Sequence, residues 1–203
     1  MAMSAGEALG VAAAARLARL AGRDCRIEPG LTEAEFDRIE ARFGFEFAED
    51  HRAFLAAGLP VGVPVEDEPG VFRAPGDPWP NWRDGDPDVL RGRLDWPVEG
   101  VLFDVEHNVF WDRAWGERPA ELGQALAIAE RHLAEVPTLV PIYSHRYLPA
   151  GRGTFGHVVL SLYQTDIICY GADLDDYIEH EFDTSHEIAK NLRPTVEFWR
   201  DFV

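Results

Sequence analysis

Three stretches of the chain carry the residue types that do chemistry. Asp104, Glu106, His107 and Asp112 follow one apolar run, His145 and Arg146 belong to a second, and Gln164 and Asp166 interrupt a third. If these runs are neighbouring strands, carboxylates and imidazoles meet at their ends, and such a group can ligate a metal or transfer protons. Other candidates lack the context that their chemistry requires. Gly151, Gly153 and Gly156 spell GxGxxG, but a dinucleotide site needs a helix straight afterwards and His157 to Leu162 reads as a strand. A kinase loop needs a lysine on the next strand, whereas Lys190 is the only lysine and no HRD or DFG tripeptide occurs. The glycines therefore read as a flexible hairpin-type loop. His180, Glu181 and His186 resemble a zincin signature, yet the histidines are six apart instead of four and fall on different helix faces. No GxSxG elbow is present, and neither cysteine sits in a nucleophile motif.

These gaps favour binding over catalysis. Recognition hot spots concentrate in Trp, Tyr and Arg ringed by polar groups. The chain places Asp104, Glu106, His107, Trp111, Asp112, Trp115, His145, Arg146, Tyr147 and Asp166 at expected strand ends and turns. They are read as a surface for a protein partner, with Trp79 and Trp82 forming one wall, and no metal or cofactor is expected. Two rival readings use the same residues. One is a metal-dependent hydrolase built on Asp104, His107, His145 and Asp166; the other is a small-ligand sensor walled by the Trp-rich loop.

Charge narrows the partner. The 203-residue chain has 36 acidic and 19 basic residues, a formal net charge of −17. Such a field repels phosphate backbones, so direct nucleic-acid binding is not expected. It attracts a basic protein. The longest apolar runs fall short of the about 18 residues that a membrane span requires. The Ala-rich N-terminus does not read as an export signal, because Glu7 stands where Lys or Arg belongs and Arg16 and Arg19 interrupt the apolar part. With no export signal, Cys25 and Cys169 are expected to be reduced and packed, in a cytoplasmic protein.

The elements that must position these residues read as follows. Ser4 and Glu7 form a capping box before an amphipathic helix, in an N-terminal extension over residues 1–30. Thr32 and Glu35 open a second capped helix, stapled by Leu31 and Phe36 and stopped at Gly44. Glu49 to Ala57 forms a third, closed by Gly58. Pro60 to Pro97 is rich in Pro and shows no period; it reads as an ordered irregular segment pinned to the core by Trp79, Trp82 and Trp96. Val98 to Val105 and Leu139 to Tyr147 read as strands around a helix from Leu122 to Val136. His157 to Tyr170 reads as a β stretch broken near Gln164 to Asp166, followed by a helix from Asp173 and a final segment docking Trp199 and Phe202. Helices first and strands later, joined mostly by loops, predict a single-domain α+β fold with a mostly antiparallel sheet flanked by helices.

Laid out this way, the chain resembles the SUKH superfamily of Smi/Knr-type proteins. The resemblance rests on the FGFEFAEDHRAFLAAG run within Leu31–Gly58 and on DWPVEGVLFDVEHNVFW, VPIYSHRYLP and QTDIICYGADLDDYI. It covers Leu31 to Phe182, so that residues 31–203 form the SUKH-like domain; Ala48 stands where the family usually opens its second helix with proline. The resemblance implies helices on a mostly antiparallel sheet and a non-catalytic role in protein–protein interaction. Many bacterial members are thought to be immunity proteins that block a cognate toxin, which makes a basic toxin domain the expected partner here.

Overall fold

A computed structural model of the chain describes residues 3–22, 25–63, 77–183, 189 and 191–203. Lys190, His186 and the part of the Pro-rich segment at 64–76 lie outside these. Helix α1, Ala5–Leu20, begins at the expected capping box: Ser4 Oγ accepts the Glu7 amide and the Glu7 carboxylate accepts the Ser4 amide. It packs against α3, Glu49–Ala57, and α6, Leu174–Phe182. Gly10 permits this approach, because a Cβ there would collide with the Asp50 carbonyl oxygen on α3. Residues 1–30 also supply strand β1, Cys25–Glu28, antiparallel to β2, Leu59–Gly62. Helix α2, Glu33–Phe43, carries the Thr32–Glu35 capping box and ends at Gly44, whose φ of +78° is open to a residue without a Cβ. Leu31 and Phe36 are both buried in the same core.

Four antiparallel strands in the order β3-β4-β5-β6 form the main sheet: β3 Leu139–Tyr143, β4 Arg146–Pro149, β5 Val159–Tyr163 and β6 Asp166–Gly171. The run Leu139 to Tyr147 is thus a hairpin turning at Ser144 and His145, not one strand, and Ser144 takes the positive φ of +48° that the turn needs. The break near Gln164 to Asp166 is the second hairpin turn. Val140, Ile142, Leu148 and Val159 face one core with α1, α2, α3 and α6, while Leu139, Tyr147, Leu160 and Leu162 face a second. The sheet is therefore covered on both sides, which explains why β3 reads as a continuous apolar run and why every residue of β4 is buried. The fold is a single-domain α+β arrangement.

The second face is covered by the C-terminal half of α4, Pro87–His107, whose Leu90 and Leu94 still belong to the first core, and by α5, Leu122–Leu133, together with 3₁₀ turns at Arg113–Trp115 and Trp199–Phe202. Trp199 is buried and its indole N–H donates to Pro137 O at 2.7 Å, so the final segment does dock. Helix α4 overturns two expectations: Val98 to Val105 is helical, and so is the end of the supposedly irregular Pro60–Pro97 segment. Asp86 caps it by accepting the Asp88 amide at 2.8 Å, and Pro87 opens it. Leu90, Leu94, Pro97, Val101 and Val105 then recur at helical spacing on its buried face. Pro97 lacks the N–H that would bond the Arg93 carbonyl, and Tyr147 from β4 supplies the missing donor, its hydroxyl reaching Arg93 O at 3.0 Å.

The glycine-rich connection between β4 and β5 is tied down along its length. Gly151 N donates to Glu46 O, Thr154 O accepts from Glu49 N, and Gly156 N donates to the Asp50 carboxylate at 2.8 Å. Gly151, Gly153 and Gly156 all have positive φ, so the glycines shape a clamped turn over the start of α3 and not a free loop.

Candidate partner-binding surface

The two hairpin turns of the main sheet lie at the same end, and the C-terminal half of α4 crosses beside them. Gly100 makes the crossing close, since a Cβ there would come within 2.9 Å of Gln164 Cα. Four residues further on, the Asp104 carboxylate accepts the Thr165 amide at 2.9 Å as well as the Thr165 hydroxyl and the Asn108 amide. Burial alone would raise its pKa, but the hydrogen bonds from Thr165 and Asn108 outweigh burial and hold it below the ordinary carboxylate range. Asp104 is a buried clasp between helix and hairpin.

The other expected contact residues divide into buried and exposed. Trp115 and Tyr147 are core residues, and Trp111 is half-buried with its indole N–H on Gly116 O at 2.8 Å. Asp112 caps the 3₁₀ turn by accepting the Ala114 amide at 2.7 Å. Arg146 is buried, with its guanidinium 3.8 Å from the Tyr170 ring centroid, donating to Ser161 Oγ and lying 3.3 Å from Glu181. Only Glu106, His107, His145 and Asp166 of the ten stand exposed. Trp79 and Trp82 are buried on the opposite face of the sheet from Trp115, so they wall no common surface with it. Trp96, expected in the core, is 46 % exposed. Among the described residues, no three of His, Cys, Asp or Glu stand together as a metal-ion set.

What the sequence reading missed is the outer face of α4. Val89, Trp96 and Phe103 are 55 %, 46 % and 42 % exposed and recur every seventh residue, which keeps them within about 20° per step on a helix. The Phe103 ring meets the His107 ring edge-on at 4.3 Å, and exposed Tyr163 precedes the turn that Gly100 touches. Asp88, Asp95, Glu99 and Glu106 line up about 80° round the axis from this stripe. No hydrogen bond or ion pair engages the carboxylates of Asp88, Asp95 and Glu99 among the described residues. The arginines of the helix are occupied elsewhere: Arg91 donates to Phe43 O and Arg42 O, and Arg93 to Pro78 O and Asp77 O. The helix therefore shows solvent an apolar stripe with one uncompensated acidic flank.

Beyond that flank runs a cleft of about 440 Å³ between α4 and α5. The seven-residue repeat was legible in the sequence, but only to a reader who had already placed the segment in a helix. No family model, no curated protein and no solved structure matches this chain.

Proposed function

We propose that the chain is a non-catalytic protein-binding module of the SUKH type, an immunity-type protein acting in the cytoplasm that binds and neutralises a basic toxin domain. The observation that carries this reading is the outer face of α4, where Val89, Trp96 and Phe103 lie exposed beside the carboxylates of Asp88, Asp95 and Glu99, which have no hydrogen-bond or ion-pair partner among the described residues. Aromatic anchors beside charge are the composition of recognition hot spots. The chain's net charge of −17 selects a partner of opposite sign and speeds its arrival. Support for the family assignment comes from Leu31–Gly58, where a capped helix, a left-handed Gly44 and the packed link Phe45–Phe47 lead into a second helix.

Two of the four residues of the hydrolase alternative have other engagements: Asp104 clasps Thr165, and His107 stands beside Phe103 on the outer face. An immunity protein of this kind is expected beside the gene of its toxin, so the test is co-expression with the C-terminal domain of a large protein encoded by the adjacent gene. Growth arrest by that domain, relieved by the wild-type chain and not by a Trp96→Ala, Phe103→Ala double variant of equal stability, is the expected result. Relief by the double variant equal to that by wild type overturns the assignment of the surface, and an adjacent product that neither arrests growth nor binds the chain overturns the immunity role.

A further inference from the structure

The cleft between α4 and α5 differs from the stripe beside it. Its floor is apolar, made by Leu94, Leu102 and Leu133 with Trp199 at the base, while Asp95 and Glu99 of α4 and Glu130 of α5 stand along its rim. Arg91 also reaches the rim, where Nη1 and Nη2 donate to the carbonyls of Phe43 and Arg42 at 3.1 and 3.3 Å, so that one fixed cation stands against three carboxylates and the rim stays net negative. Three carboxylates without a hydrogen-bond or ion-pair partner among the described residues thus stand over an apolar slot.

We infer that this cleft is the anchor pocket of the α4 face and receives an arginine side chain from a basic segment of the partner protein, an inference that rests on the reading of that face as the partner surface. Arginine fits both layers. Its three-carbon stem covers apolar surface, and its guanidinium is planar and weakly hydrated. The donors fan out in a fork that can bridge carboxylates on two helices, where the strongly hydrated point charge of lysine loses more on leaving water. A second copy of this chain is the poorer occupant, because two molecules of charge −17 would bring acidic flanks together. The stripe supplies apolar area, and the cleft supplies the choice of partner.

The probe is n-butylguanidinium, with n-butylammonium and 1-butanol as controls, titrated into the ¹⁵N-labelled full chain. Saturable amide shifts confined to Asp95, Glu99, Leu102, Glu130 and Leu133 are expected, strongest for the guanidinium and weakest for the alcohol. Asp95→Asn with Glu99→Gln should weaken the guanidinium by roughly tenfold or more, the worth of one charge-assisted hydrogen bond. Trp96→Ala should leave it unchanged, which separates the cleft from the stripe: partner binding that fails in Trp96→Ala while the guanidinium still titrates speaks to the stripe alone. Equal affinity for butanol and guanidinium overturns the inference, as do non-saturating shifts spread over the acidic surface. A homodimer in sedimentation that Trp96→Ala dissolves would place a second copy on this face and overturn it also.

Discussion

His51 on α3 is fully buried between Phe47 and Phe54, and neither ring nitrogen has a hydrogen-bond partner among the described residues. Burial disfavours the imidazolium and pulls its pKa down to about 3. The unfolded chain binds this proton below about pH 6.5, whereas the folded chain refuses it until near pH 3. Stability from this site is therefore complete above the unfolded pKa and declines as pH falls towards the folded one. His51→Phe should thus gain stability relative to wild type progressively below about pH 6.5, read by urea melts across the acid range. Parallel pH profiles for the two proteins would contradict the burial account. Trp115 belongs to the same scale. It is a core ring stacked on His132 at 5.8 Å, so Trp115→Ala should cost about 3–5 kcal/mol in denaturant unfolding. A cost within about 0.5 kcal/mol would return it to the surface.

Among the elements, α4 depends on a group outside itself. Tyr147→Phe removes the hydroxyl that bonds the Arg93 carbonyl, leaving a part-buried acceptor bare at the Pro97 step. About 1–3 kcal/mol of stability should be lost, with hydrogen exchange quickening in α4 around that step; a fully stable variant with unchanged α4 protection would show that the carbonyl finds another donor. This helix is also where the sequence was hardest to read. Helices α1, α2 and α6 announce themselves through Ser4, Thr32 and Asp173, whose side chains cap the first turn in the local sequence itself. Helix α4 contains Gly92, Pro97 and Gly100, each a local argument against a helix, and tertiary structure accommodates the last two. Tyr147 covers Pro97, and the β5–β6 turn fits against Gly100; both contacts are long-range and invisible in a window of neighbouring residues. With the helix misplaced, Trp96 and Phe103 lost their common face. The expected site correspondingly gathered residues such as Arg146 and Tyr147 that the sheet buries.

At the scale of the whole molecule, Trp79, Trp82, Trp115 and Trp199 are inside, while Trp96 stands exposed on α4 beside Asp95 and Glu99. Because Trp96 and Phe103 are each about half exposed, their replacement by Ala should cost well below the roughly 3–5 kcal/mol of a core ring while removing partner affinity of about 2 kcal/mol or more at a hot spot. The most direct measurement is the association rate constant between this chain and the C-terminal domain of its adjacent-gene product, followed from about 0.01 M to about 1 M salt, where the Debye length shrinks from about 30 Å to about 3 Å. A steep fall with salt for the wild type is expected, largely flattened in a variant carrying Asp88→Asn, Asp95→Asn, Glu99→Gln and Glu106→Gln, with dissociation little altered by salt. An association rate indifferent to salt, or one as steep in the variant as in the wild type, would contradict the acidic α4 face as the surface that meets the partner.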